Sequence, residues 1–216
     1  VTHAIEALAS VFATDYTNAL ALESLRILFK YLPQSYASGA ADVRAKERVH
    51  NAATMAGMAF ANGFLGICHS LAHKLGAAFH LPHGIANALL ISEVIRFNAT
   101  DTPTKQAAFP QYEYPNAVAR YARIADYLGF SAAKPSASEA EKVELLITGI
   151  EALKKQLDIK PTIRDYGIDE ASFLARIETL AEEAFDDQCT GANPRYPLIA
   201  ELKEIYKAAY YGSAAK

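Results

Sequence analysis

The chain has 216 residues, a formal net charge of −3, 51% hydrophobic and 21% charged residues, the balance of an ordinary globular domain with apolar mass for a sizeable core. That charge gives no electrostatic case for a nucleic acid or an anionic membrane as partner. Two cysteines, Cys68 and Cys189, are too few for a disulfide framework and suit a reducing cytoplasm, and neither a run of about 18 apolar residues nor a signal peptide is found.

Val1 to Leu8 already reads as helix interior without a cap or leader, so we expect a piece of a longer protein. Helices are predicted over residues 2–13 and 18–31, the second with Leu20, Leu25, Leu28 and Leu32 at helical spacing and an exit at Pro33 and Ser38-Gly39. An alanine-rich helix over residues 42–65 carries the small residues Ala52, Ala53, Ala56, Gly57 and Ala59, and we expect it to be central and buried. Residues 85–97 are apolar nearly all round, which predicts a fully buried helix. A polar loop over residues 98–115 contains Pro103 and Pro110. Further helices are expected at 116–128, 139–157, 170–185 and 198–211. Ser136 with Glu139 offers a capping box before the second of these, after a Pro/Ser/Ala-rich surface loop at 132–140. Period-2 alternation is absent. The predicted fold is all-α.

Between these helices lies Gly66 to Gly84, which holds four of the six histidines within fifteen residues. His69 and His73 stand at i,i+4, so on a helix both rings project from one face. That spacing suits either a metal chelate or a hydrogen-bonded core pair. His80 and His83 follow, and Pro82 and Gly84 bracket His83 in a tight loop entering the next helix. No glutamate occupies the position an H-E-x-x-H zinc protease needs. His3 shares a helical face with Glu6, and His50 sits among charged residues on a solvated face. Cys68 reads as a buried structural thiol. The stretch Asp186-Asp187-Gln188-Cys189-Thr190-Gly191-Ala192-Asn193-Pro194-Arg195 reads as a helix end at Gly191 and a helix start with Asn193 as cap and Pro194 at the first position. Neither G-x-G-x-x-G nor a P-loop occurs.

The pattern G-x-x-H-x-x-A-H-x-x-G-x-x-x-x-x-P-H-G over Gly66–Gly84 resembles the signature of the iron-dependent (group III) alcohol dehydrogenases. Val1-Thr2-His3-Ala4-Ile5-Glu6 resembles the tail of that family's D-x-x-x-H-x-x-E segment. Glu183 to Arg195, with Asn98 to Gln111, is most similar to the bifunctional aldehyde–alcohol dehydrogenases. The resemblance implies that residues 1–216 are the C-terminal helical, metal-binding domain of the dehydroquinate synthase-like fold, without its N-terminal α/β nucleotide domain. It implies metal ligands at His3, His69 and His83, with the family's aspartate just upstream of Val1. It implies that His73 is no ligand but lies beside the nicotinamide and substrate as a proton relay. The implied cofactors are Fe(2+), with zinc chemically acceptable to the same ligands, and NAD(H), bound mainly by the preceding domain. The implied substrates are a small aldehyde and alcohol, acetaldehyde and ethanol. The implied partners are the protein's own nucleotide and aldehyde dehydrogenase domains, in a homo-oligomer or filament. Physics suits these roles: a divalent cation polarises a carbonyl oxygen and steadies the alkoxide formed on it, and an imidazole supplies the proton. Phe60, Phe64 and Leu65 could wall such a site. Two other readings stand beside it: a helical zinc hydrolase using His69, His73 and His83 with Glu6 or Asp186 as base, and a non-catalytic helical assembly module.

Overall fold

The computed structural model describes residues 1–100 and 116–212, and among them every regular element is helical. Nine α-helices follow in order among the described residues: α1 (Thr2–Ala9), α2 (Asp15–Ser38), α3 (Val43–Gly63), α4 (Ile67–Phe79), α5 (His83–Asn98), α6 (Ala117–Tyr127), α7 (Glu139–Gln156), α8 (Glu170–Phe185) and α9 (Ile199–Tyr211). Short 3-10 turns lie at Arg164–Tyr166 and Thr190–Ala192. No single helix among them is long and apolar enough to cross a membrane. The loop expected over residues 98–115 lies, apart from its first three residues, outside the described residues.

α1 is a core helix. Ala4, Ile5, Glu6, Ala7, Leu8 and Ala9 are all buried, because α2, α3, α5 and α6 pack around the helix from different sides. It stops four residues before the predicted end. The Arg120 guanidinium of α6 donates to the carbonyls of Leu8, Ala9 and Ser10, at 3.3, 3.2 and 2.6 Å, and so satisfies groups that would otherwise continue the helix. α2 starts earlier than predicted because Thr14 and Thr17 form a reciprocal capping box. It also runs through Pro33 to Ser38; the one missing N–H does not end it, since α3 packs along its length.

α3 corrects the expectation of a buried helix. Only the stripe Ala45, Ala52, Ala56, Ala59 and Gly63 is buried, while Val43 and Met58 stay exposed on the opposite face. α5 meets its prediction only in part: no residue from Ile85 to Asn98 is exposed, because α4, α7 and α9 all pack on it, but Ile85, Ala88, Glu93, Arg96 and Phe97 are half-buried. The cap of α7 is Ser138 with Glu141, not Ser136 with Glu139. The helix start predicted at Asn193-Pro194 is absent too: α8 ends at Phe185, Gly191 lies within a 3-10 turn, and α9 begins at Ile199.

Candidate metal and proton-transfer site

The beginnings of three helices bring the histidines together. His3 stands in the first turn of α1, and His69 and His73 lie one turn apart on α4. His83 opens α5 behind Pro82, so the tight loop seen in the sequence delivers its ring to the same place. The His3 ring stacks on His69 with centroids 4.6 Å apart, and His83 lies 5.3 Å from His69 and 6.2 Å from His3. Phe60 covers the other face of His3 at 4.5 Å, so it does wall the site; Phe64 is partly exposed instead. His80 closes α4 in the left-handed conformation, φ 55°, and is exposed. His50 is exposed on α3, as expected.

His3, His69 and His83 border a cavity of about 220 Å³ whose far wall is apolar, formed by Leu32, Ile91, Ile150, Leu153 and Leu157. Burial, reinforced by the neighbouring His69 and His83, lowers the His3 imidazole to about 4. Partial burial of its ring, with His69 and His73, also lowers His83, although the residue as a whole is exposed. Rings that resist protonation keep their lone pairs, which is the metal-binding form.

His69 decides how the cluster can act. Its Nδ1 is hydrogen-bonded to Glu6 Oε2, and its Nε2 is buried with no hydrogen-bond partner among the described residues. A buried polar nitrogen without a partner is costly, and a carboxylate behind one ring nitrogen is the usual way of aiming the other at a metal. With metal–nitrogen bonds of about 2.1 Å, imidazoles on one ion have ring centroids roughly 4.5–6 Å apart. The two pairs that include His69 fall in that range, at 4.6 and 5.3 Å, and the His3–His83 pair lies just beyond it at 6.2 Å, so the three rings come near the spacing that a divalent cation would need. Asn87 Nδ2 lies 3.3 Å from His83 Nε2, a hydrogen bond such an ion would replace.

In the sequence Glu6 stands as a neighbour of His3, as the glutamate of the D-x-x-x-H-x-x-E segment and as a candidate base, and none of these roles places it behind His69. It is 4% exposed, and its second oxygen accepts the Cys68 N–H at 2.8 Å at the start of α4. A carboxylate at a helix N-terminus meets both unpaired N–H groups and the favourable end of the dipole. Gly66 makes room for it: a Cβ there would lie 3.0 Å from Glu6 Oε1 and 2.6 Å from Asn193 Oδ1. Asn193, read as a helix cap, instead accepts the Ile67 N–H at 3.2 Å and exchanges hydrogen bonds with Asn98. Cys68 is fully buried, as read, and burial pushes its thiol well up.

His73 sits apart from that cavity, 5.9 Å from His69 and 5.6 Å from His83 between centroids. Its Nδ1 lies 3.2 Å from Asp187 Oδ2, which Lys74 Nζ also approaches at 3.1 Å. The i,i+4 pair is thus not arranged as a chelate, because the two rings turn to different carboxylates. Potential ligand atoms of His73, Asp187 and Cys189 all lie within 4.8 Å of one another, closer than the three cavity imidazoles stand. The Lys74 ammonium already balances Asp187 there, and burial, Asp187 and Glu6 push the Cys189 thiol up to about 12.

Residues 1–210 match the model of the Fe-containing alcohol dehydrogenase family, C-terminal. The chain belongs to that family. This member is 58% identical over 212 residues to the bifunctional aldehyde-alcohol dehydrogenase of Escherichia coli K12, covering 98% of the chain and 24% of that protein. It is 54% identical over 204 residues to the aldehyde-alcohol dehydrogenase of Clostridium acetobutylicum, covering 94% and 23%. Among solved structures, the iron-containing alcohol dehydrogenase of Thermococcus thioreducens superposes with a TM-score of 0.81 at 33% identity, over 98% of this chain and 48% of that one. The chain therefore spans about a quarter of the curated relatives and half of the solved structure. Its all-helical architecture is that of the C-terminal domain of iron-containing alcohol dehydrogenases.

Proposed function

We propose that residues 1–216 form one domain, the metal-holding part of an NAD(H)-dependent alcohol dehydrogenase that interconverts a small aldehyde and its alcohol, acetaldehyde and ethanol. The observation that carries this reading is the buried Nε2 of His69, unpartnered among the described residues, on a ring anchored through Nδ1 by Glu6 and lining a cavity shared with His3 and His83. These three imidazoles would hold a divalent ion, iron by family and zinc by ligand chemistry alone. When bound, it supplies a Lewis acid for the carbonyl or alkoxide oxygen. Glu6 holds His69 in one tautomer, Phe60 shields His3 from water, and His73 carries a proton at the rim of the site, where nicotinamide and substrate would meet. The matching parts of longer relatives suggest an aldehyde dehydrogenase domain and a nucleotide domain as covalent partners, in a cytoplasmic homo-oligomer or filament.

The test is metal analysis of a form extended upstream through a nucleotide domain, prepared anaerobically, with NADH-dependent acetaldehyde reduction on the same samples. We expect about one iron or zinc per chain, lost together with turnover in His69→Ala. His73→Ala should lose turnover and keep the metal; loss of the metal instead would favour the hydrolase. A protein that holds no metal sinks both.

A further inference from the structure

The segment after α8 has a feature that capping does not explain. Asp187 is not on the surface with Asp186; its side chain is 7% exposed and faces α4. Oδ1 accepts the Cys189 N–H at 3.0 Å, and Oδ2 faces both His73 Nδ1 at 3.2 Å and Lys74 Nζ at 3.1 Å. The turn that carries it is itself pinned: the Thr190 hydroxyl lies 2.6 Å from the Ala184 carbonyl and 2.8 Å from Ser70 Oγ on α4. The carboxylate is therefore held by its own loop and cannot follow the ring. His73, by contrast, is about one third exposed, and among the described residues Asp187 is the hydrogen-bonding group at its Nδ1.

We propose that Asp187 is the positioning residue for His73, fixing its ring and placing the neutral tautomer's proton on Nδ1, so that Nε2 alone exchanges protons with substrate. The inference rests on the proton-relay role proposed above for His73. A carboxylate can only accept, so a neutral imidazole bonded to it must carry its one hydrogen on Nδ1. In the reductive direction the doubly protonated ring gives its Nε2 proton to the alkoxide oxygen and is left neutral with Nδ1–H still on Asp187. In the oxidative direction Nε2 takes the hydroxyl proton of the alcohol. Lys74 balances the charge of Asp187, so the carboxylate stays a fixed acceptor and does not itself take the proton. The arrangement parallels the histidine–aspartate pair of serine proteases, where removing the acid's charge gives the wrong tautomer.

The test reads the tautomer directly. Long-range proton–nitrogen spectra of the histidine-labelled 216-residue chain, at about pH 8, above the ordinary imidazole range, should show His73 with Nδ1 protonated and Nε2 bare. Asp187→Ala should move the proton toward Nε2. Asp187→Asn, which keeps the size and an acceptor for the Cys189 N–H, should do the same and serves if the alanine variant does not fold. The His69 signals, set by Glu6, should not change in either. In the longer form, Asp187→Asn should lower kcat by about 10²-fold or more, with KM and metal content unaltered. A wild-type His73 protonated on Nε2, or an Asn variant that keeps both the Nδ1 proton and wild-type kcat, overturns the proposal. If the tautomer moves as expected and the wild-type longer form has no alcohol turnover, the positioning stands and the dehydrogenase reading falls.

Discussion

At the scale of single residues, two buried carboxylates organise the histidines, each by holding an Nδ1. Glu6 does more than orient His69, since its other oxygen receives the Cys68 N–H at the start of α4. Removing one partner from such a buried group leaves the others unsatisfied. Glu6→Ala should lower unfolding stability by roughly 3 kcal/mol or more in denaturant melts, and Glu6→Gln, which keeps an acceptor for Cys68, by less. Asp187 makes a different prediction. Burial would raise its carboxyl, but the Cys189 N–H, Lys74 and His73 outweigh that and hold it at about 2, below the ordinary 3.8. A depressed acid stabilises the fold fully above its unfolded value and stops doing so as pH falls through the folded one. The stability difference between wild type and Asp187→Asn should therefore be constant above about pH 4 and shrink toward pH 2, followed by chemical denaturation across that range. Neither contact was legible in the sequence. Glu6 and His69 lie 63 residues apart and His73 and Asp187 114 apart, and a polar side chain on a helix or at its end has a sufficient local explanation.

At the scale of elements, what begins and ends a helix is where local reading succeeded and failed. The Ser-x-x-Glu signal before α7 was legible but occurs twice, at Ser136–Glu139 and Ser138–Glu141. Turns from Ser131 to Ala137 occupy the first of them, with Lys134 N–H on Ser131 O and Ala137 N–H on Lys134 O, and the second becomes the cap. Ser138→Ala should lower the melting stability by about 1 kcal/mol and Ser136→Ala should leave it nearly unchanged. The junction of α3 and α4 is more demanding, because Gly66 lies under both Glu6 and Asn193. Gly66→Ala forces those side chains apart and should be destabilising by about 1–3 kcal/mol, while also shifting the His69 ring signals. Both outcomes can be read from one labelled sample.

For the whole molecule, the packing of α1 among α2, α3, α5 and α6 brings His3 of its first turn against His69 of α4 and His83 of α5. Three imidazoles from three helices form a site only in the folded chain, so an ion bound there stabilises the fold by mass action. At a hundredfold excess over Kd the gain is about 2.7 kcal/mol, and for a chain of this size each kcal/mol raises the melting temperature by roughly 2–4 °C. Adding zinc, or iron under anaerobic conditions, should raise the melting point by several degrees on that scale, and His69→Ala should abolish the rise. An unchanged melting point in the wild type at saturating metal would count against the cavity as a cation site.

Helical periodicity, the cluster from His69 to His83 and the apolar length of α5 were enough to establish an all-α chain with a histidine-rich centre, because these features depend on neighbours within a few residues. Tertiary structure decided which side chains answer which. It turned His69 to Glu6 and His73 to Asp187, excluded His80, left one face of α3 exposed, and moved Asn193 from a helix cap into the α4 junction. Those outcomes depend on elements that meet only after the chain has folded, and a capping or surface residue carries no local sign of the distant group that will meet it.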